Sequence, residues 1–229
     1  MSGSAVEAAG RPPARGLVRH GTLLFAVSMA SNVLNYLFRI IMSHRLGLVD
    51  YGALDALLSV FMIISIPASA IQTVTAKYVS DFGATGRHAE IADLFLRSLR
   101  RVGAICAAGL VVFLACSSPI AGFLQIDRIA PVVLLGVALF FSLQTPVLCG
   151  VYQGRQDFGY LGLIGFLISL IRLGIGACGV WLGFGLNGAV GASVVAYIVG
   201  LSFAIWGLWG LFGKAGGVQA NSAEVYGYL

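Results

Sequence analysis

Six long apolar runs constrain the fold of this chain more than any other feature. They lie at about 21–43, 52–76, 98–118, 129–150, 159–182 and 188–212. An α-helix needs about 20 residues to cross a bilayer, whereas a membrane strand needs only about 10. The sequence therefore predicts an all-α integral membrane protein in which six transmembrane helices form one bundle.

The composition agrees with a membrane protein. The chain has 229 residues, of which 59% are hydrophobic and 10% are charged, whereas soluble domains are about 25% charged. The net charge of +5 is spread over short loops, so it predicts topology and no nucleic-acid partner. Lys and Arg collect on one side of the predicted bundle, and we predict a multi-pass protein of the cell (cytoplasmic) membrane with both termini cytoplasmic.

The polar ends divide the chain into three parts. Residues 1–19 are small, polar and proline-bearing, which predicts a disordered cytoplasmic tail. Residues 20–213 form the six-helix membrane lobe. Residues 214–229 are polar again and predict a cytoplasmic linker, and the last residues indicate truncation before a seventh span.

The fifth run carries Arg172 near its middle, on a stripe of small residues. The stripe consists of residues spaced alternately by three and four: Gly162, Gly165, Ser169, Arg172, Gly176, Gly179 and Gly183. This spacing places them on one helical face. Small residues let a second backbone approach closely, and a charge on that face should point into protein or a water-filled cavity. The glycines predict close packing, space for a ligand headgroup, or both.

Arg172 needs a counter-charge that the sequence does not supply at the same depth. Asp55 is the nearest candidate, and it lies only about one turn into the second run, near its outer end. An arginine at the bilayer centre costs about 2.5–3.5 kcal/mol on insertion scales. Backbone carbonyls and glutamines are one source of compensation. An anionic ligand is the other, because phosphate and diphosphate match the guanidinium fork.

The first run has a polar face of its own, on which Asn32, Asn35 and Arg39 lie at steps of three and four. Arg39 either lines a cavity or snorkels to the interface. The two asparagines lie deeper, and they either bridge helices or line the same cavity.

Two further runs combine a proline with a glutamine. Gln72 follows Pro67 in the second run, and Gln144 precedes Pro146 in the fourth. Proline kinks a membrane helix, so both prolines are candidate hinges, and static kinks are the alternative. Polar groups in lipid are costly unless paired, so we predict a shared polar interior lined by six residues: Arg39, Arg172, Asn32, Asn35, Gln72 and Gln144.

Residues that would support catalysis or metal binding do not form a recognisable set. The sequence has no nucleophile–base motif, no H-E-x-x-H and no P-loop. We predict no enzymatic activity, no metal and no cofactor.

Several short motifs occur in an order that resembles a known family. They comprise Leu46, Gly47, Tyr51, Gly52, Pro67, Gln72, Ala76, Lys77, Tyr78, Val79, Pro146, Gly150, Val151, Tyr152, Gln153, Gly154 and Phe158. In this respect the chain resembles the N-terminal half of an oligosaccharide (polysaccharide biosynthesis) flippase of the multidrug/oligosaccharidyl-lipid/polysaccharide exporter superfamily. The resemblance implies one lobe of a two-lobe flippase, with Arg39 and Arg172 in a cationic central cavity.

The function implied by this resemblance is the flipping of a lipid-linked oligosaccharide or polysaccharide precursor across the cytoplasmic membrane. The expected partners are a lipid-linked anionic glycan, membrane lipid, and the missing second lobe or another copy of the chain. Two alternatives stay open. One is a cation-coupled multidrug exporter of the same superfamily, for which a deep carboxylate would be expected. The other is a non-transporting scaffold subunit of a glycan-assembly complex.

Overall fold

The computed structural model describes residues 14–84, 88–126 and 128–226. Within these ranges it contains eight helices and no strand. They are α1 (Ala14–Arg45), α2 (Leu48–Ala84), α3 (His88–Ala115), α4 (Ser117–Phe123), α5 (Ala130–Ser142), α6 (Thr145–Gly154), α7 (Phe158–Trp181) and α8 (Gly185–Tyr226). The predicted all-α architecture is confirmed.

Six segments are long and apolar enough to cross a membrane, as predicted. They are Leu24–Arg45, Leu48–Ala84, Arg97–Ala115, Ile129–Gly154, Phe158–Trp181 and Gly185–Leu208. Each coincides with one of the six apolar runs. The fourth segment contains both α5 and α6, and the short α4 precedes it in the connection from the third.

Helices extend beyond the predicted lobe at both of its ends. The first begins at Ala14, inside the predicted tail, so residues 14–19 are helical where we expected disorder. The last continues to Tyr226, so most of the predicted linker is helical as well. Residues 1–13 and 227–229 of these two predictions lie outside the described residues.

The ends of α7 follow from local chemistry. The side chain of Asp157 accepts a hydrogen bond of 3.3 Å from the backbone N–H of Tyr160, which caps the first turn. At the other end Gly183 has a φ of +88°. The N–H of Gly183 donates to the carbonyl of Val180, and the N–H of Phe184 donates to the carbonyl of Gly179. This pattern is a Schellman motif, so Gly183 ends the helix and does not continue the small-residue stripe.

The packing order of the helices places α7 between α1 and α8. It packs against α1 on one side and against α8 on the other, and α8 also packs against α5. On the other flank α2 packs against α6. Chain neighbours α1 and α2 make little contact, so the structure pairs α1 with a helix more than a hundred residues away.

Two apolar clusters divide the lobe into two blocks. The first contains Phe38, Leu57, Leu135 and Val190, among others. The second contains Val79, Val147, Ile164, Tyr152 and Leu201, among others.

Candidate anion-binding cavity

The small-residue stripe of α7 forms the interface with α1. A Cβ added at Gly176 would lie 2.7 Å from Phe38, and one added at Gly162 would lie 3.3 Å from Val27. Between them Asn35 Nδ2 donates a hydrogen bond of 3.1 Å to Ser169 Oγ. These positions therefore need small residues so that α1 can approach, and close packing within the lobe accounts for this part of the stripe.

The rest of the stripe is used differently. A Cβ added at Gly179 would lie 3.1 Å from the Cα of Gly188, so this glycine allows α8 to approach α7. At Gly165 an added Cβ would meet nothing within 4 Å, and the residue is exposed. Gly165 is thus the member of the stripe that close packing does not explain.

Arg172 lies within the lobe and has no acceptor there. Its guanidinium carbon lies 4.5 Å from the centroid of the Phe38 ring, a distance at which the ring face attracts a cation. Its Nε is buried and has no hydrogen-bond partner in the described part of the chain. The predicted compensation by carbonyls or glutamines is therefore absent among residues 14–84, 88–126 and 128–226.

A small cavity of about 10 Å³ opens beside Arg172. Most of its wall is apolar, and the other polar side chains that line it are Ser193 and Tyr197 of α8. The ring of Tyr197 stacks on Phe61 of α2, with 5.5 Å between the centroids, and this contact fixes the direction of its phenol. The cavity therefore lies among α2, α5, α7 and α8, and its lining is almost wholly apolar.

Arg39 occupies a different environment. Its Nη1 lies 3.4 Å from Oδ1 of Asp55, and the two side chains are 57% and 54% exposed. Asp55 lies about two turns into α2, deeper than the sequence predicted, because this helix begins at Leu48. Arg39 directly follows Phe38, whose ring centroid lies 4.5 Å from the guanidinium carbon of Arg172. Asp55 therefore pairs with Arg39 and leaves the partly buried Arg172 without a carboxylate in the described residues.

The other predicted cavity residues do not gather around Arg172. Asn35 bridges α1 to α7, which is one of its two predicted roles, and Asn32 is exposed on the surface of α1. Gln72 Nε2 donates a hydrogen bond of 2.9 Å to Gln153 Oε1 of α6. Gln144 is buried, and its Nε2 donates to the carbonyl of Phe140 at 3.3 Å. The Asn35 and Gln72 contacts connect different helices, whereas the Gln144 bond is local to its own segment.

The two candidate hinges differ in their helices. Pro67 is exposed and lies within the uninterrupted α2. Pro146 was expected inside a continuous span, but the helix is interrupted at Leu143 and Gln144, and the proline occupies the first turn of α6. Proline suits this position because its missing N–H has no helical acceptor there. Their function as hinges stays a prediction.

Sequence reasoning missed Ser193 and Tyr197. They are four residues apart in the sixth run and so share a helical face. That spacing was the available signal, but small and aromatic residues also occur in lipid-facing helices. Only the packing of α8 on α7 shows that both line the same cavity as Arg172.

The motif from Gly150 to Gly154 has a packing role. A Cβ added at Gly150 would lie 2.7 Å from the carbonyl oxygen of Gln72, and one added at Gly154 would lie 2.6 Å from that of Ala76. Two glycines four residues apart thus let α6 touch the backbone of α2, a contact typical of membrane helices.

Two solved structures share the fold of this chain. The chain superposes with a TM-score of 0.75 and 18% identity on a MOP superfamily transporter from Pyrococcus furiosus Vc1, which is described as having a binding pocket of reverse polarity that suggests a different function. It superposes with a TM-score of 0.76 and 19% identity on an outward-facing multidrug resistance MATE family transporter of the same superfamily. In each case 91% of this chain matches 48% of the other.

The chain is thus a multi-pass helical membrane protein with the fold found in one half of MOP superfamily transporters. It spans about half the length of the two structures it matches. No family model matches the sequence. No curated protein matches it either. The similarity concerns the fold, so the predicted superfamily architecture is supported and the assignment to oligosaccharide flippases stays a prediction.

Proposed function

We propose that this chain forms one lobe of a transporter that flips a lipid-linked oligosaccharide or polysaccharide precursor across the cytoplasmic membrane. The matched transporters support the transporter fold. A second lobe, from the same polypeptide or from another copy, would complete the pathway, because alternating access requires two bodies that rock against each other.

The charge of the α1–α7 region carries the choice of an anionic substrate. Arg172 is the only charged residue in the segment Phe158–Trp181, and Arg39 is the chain neighbour of Phe38, whose ring contacts the Arg172 guanidinium. Against these two cations stands one carboxylate, Asp55, at 3.4 Å from Arg39. A net positive potential at low dielectric attracts anions such as a diphosphate.

Arg39 and Arg172 differ in exposure, so we assign them different roles in binding the headgroup. Arg39 has a side chain that is 57% exposed, so a headgroup can reach it. A guanidinium binds phosphate oxygens through two parallel hydrogen bonds. Arg172 is partly buried, so its positive charge attracts the headgroup without contacting it directly. In this arrangement the headgroup passes along the exposed face while the polyprenyl tail stays in lipid.

The test is transport by the protein expressed from its complete open reading frame and reconstituted in liposomes. The probe is a fluorescent polyprenyl-diphosphate oligosaccharide, and the readout is its appearance in the opposite leaflet. Arg39→Gln should lower affinity by about tenfold or more, because a hydrogen bond to a charged group contributes about 1.5–3 kcal/mol. Arg45→Gln is the matched control, since Arg45 is an exposed arginine at the end of the same helix.

Equal transport by Arg39→Gln and the wild type would contradict the proposal. So would the transport of a cationic dye together with no movement of the diphosphate lipid. An uncharged lipid-linked sugar should be moved poorly, because it offers no anionic oxygen for the guanidinium to bind.

One observation favours the second candidate, a cation-coupled multidrug exporter. Asp55 lies within a membrane-spanning segment, and its side chain is 54% exposed. A carboxylate within a membrane span is the group that binds a proton, Na⁺ or a cationic drug. One of the matched structures is a multidrug resistance transporter. In such an exporter, Asp55 would release Arg39 when it binds the transported cation.

A further inference from the structure

A separate cavity of about 380 Å³ lies at the end of the lobe where α1 leads into α2. Its wall combines the first residues of α2, the connection from α4 to α5, and the turn between α7 and α8. Four side chains of this wall can form hydrogen bonds: Asp50, Gln125, Arg128 and Asn187. Most Lys and Arg residues collect on the opposite side of the predicted bundle, so the predicted topology places this cavity at the outer face of the membrane.

The four polar side chains of this cavity are available to a ligand. None of them forms a hydrogen bond or an ion pair with another residue in the part of the chain that the structure describes. Asp50 and Arg128 carry opposite charges and line the same cavity, yet they do not pair with each other. Oδ2 of Asp50 lies 3.8 Å from the point that a Cβ on Gly185 would occupy, at the start of α8. The N-terminus of a helix favours a carboxylate at such a position.

From this lining we infer that the cavity binds one sugar unit of a glycan at the outer face. The inference rests on the proposed function, because the flipped lipid-linked glycan is the source of the sugar. It gives the headgroup a contact that does not involve the diphosphate. Sugar hydroxyls donate to the Asp50 carboxylate and accept from the Arg128 guanidinium. Phe184 also lines the cavity and is 63% exposed, so its ring is accessible to the C–H face of the sugar.

The mixture of groups selects a neutral ligand that both donates and accepts hydrogen bonds. The charges of Asp50 and Arg128 balance each other, and the other two polar side chains, Gln125 and Asn187, are neutral amides. A sugar hydroxyl is a donor and an acceptor at once, so it can bond to any of these groups. A volume of about 380 Å³ lies near the lower end of the range for small-molecule sites, about 300–1,000 Å³. This size suits one or two sugar rings.

Other classes of ligand fit the lining less well. A diphosphate would be repelled by the Asp50 carboxylate. A hydrocarbon tail would remove four polar side chains from water without replacing their hydrogen bonds. A metal ion would find one carboxylate and no histidine or cysteine in this lining. A zwitterionic headgroup such as phosphoethanolamine also matches one positive and one negative side chain, so the experiment has to separate it from a sugar.

The experiment measures saccharide binding to the purified full-length protein in phosphatidylcholine nanodiscs. The probe is an array of neutral di- and trisaccharides of hexoses and N-acetylhexosamines, free of lipid and of phosphate. Isothermal titration calorimetry then gives the affinity and the stoichiometry of the saccharides that bind. We expect saturable binding of one saccharide per chain. Inorganic diphosphate and phosphoethanolamine at equal concentration should not displace it.

Variants assign the binding to this cavity. Asp50→Asn and Arg128→Gln should each lower saccharide affinity by about tenfold or more, because each removes a hydrogen bond to a charged group. Phe184→Leu should lower it by about two- to tenfold, because the aromatic face is lost. All three residues are exposed, so the fold should tolerate these changes. The matched controls Arg45→Gln and Phe123→Leu should bind like the wild type, since both residues are exposed and neither lines the cavity.

Three results would overturn the inference: no saccharide of the array binds, the three variants bind as well as the wild type, or phosphoethanolamine displaces the saccharide. The test is separate from the transport assay. Retained saccharide binding without transport would contradict the proposed function and support a sugar site. Transport without saccharide binding would support the proposed function and contradict the sugar site.

Discussion

The guanidinium carbon of Arg172 lies 4.5 Å above the ring of Phe38, which is itself only 1% exposed. The same ring packs against Gly176, one turn further along α7. A single aromatic side chain of α1 thus contacts both the charge and the glycine of the α7 stripe. Its position explains why a charged residue and small residues occur on one face.

Phe38→Leu should destabilise the protein. The change removes the aromatic face beneath a cation and leaves a space in a buried interface, and we expect a loss of about 2–4 kcal/mol in the free energy of unfolding. Equilibrium unfolding in mixed micelles measures it. Phe25→Leu is the control, because Phe25 lies on the same helix and is 68% exposed. An equal loss in both variants would show that the contact with Arg172 is unimportant.

Substitutions of two neighbouring glycines should have opposite effects. In Gly176→Ala the added methyl would lie 2.7 Å from Phe38, and overpacking of this kind costs about 1–3 kcal/mol. In Gly174→Ala the methyl would meet nothing within 4 Å, and alanine is favoured over glycine in a helix by up to about 1 kcal/mol. Thermal unfolding of the two variants measures the difference. Equal unfolding temperatures would contradict the α1–α7 interface.

Gln72 and Gln153 should be energetically coupled. The Nε2 of the first donates to the Oε1 of the second at 2.9 Å across the α2–α6 interface. Hydrogen bonds between membrane helices contribute about 0.6 kcal/mol on average and at most about 1.7 kcal/mol. A double-mutant cycle with Gln72→Leu and Gln153→Leu should give a coupling free energy within this range. The pair Thr73 and Gln153 serves as the control, since Thr73 bonds to Ser69 of its own helix.

Asp55→Asn distinguishes the two candidate functions. The pair with Arg39 is exposed and long, so its loss should change the free energy of unfolding by no more than about 1 kcal/mol. If the substrate is an anionic lipid-linked glycan, the variant frees Arg39, and transport should persist with equal or higher affinity. Loss of transport of every substrate would instead support the cation-coupled exporter. Ser59→Ala is the control, because Ser59 is an exposed residue one turn further along α2.

Hydropathy alone located the six spans, because membrane insertion depends on the local composition of each segment. The contacts of Arg172 were not predictable in the same way. Its neighbours Phe38, Ser193 and Tyr197 come from helices distant in sequence, and only the packing of α7 between α1 and α8 brings them together. The stripe itself was predictable from spacing, but spacing did not reveal that Gly176 faces α1 and Gly179 faces α8.

The polar residues of the other runs show a second limit of sequence reasoning. Polar side chains in lipid need hydrogen-bond partners. Gln72 bonds to the side chain of Gln153, and Gln144 bonds to the backbone carbonyl of Phe140. The sequence could show that these side chains needed acceptors. It could not show whether a ligand or a neighbouring helix supplies them.

The break between α5 and α6 has a mechanical consequence. The fourth segment consists of two short helices joined at Leu143 and Gln144, and Pro146 has no backbone N–H to donate in the first turn of α6. Resistance to bending is lowest where backbone hydrogen bonds are missing. We therefore expect this segment to bend at Leu143 and Gln144 more easily than the continuous α7 bends anywhere along its length.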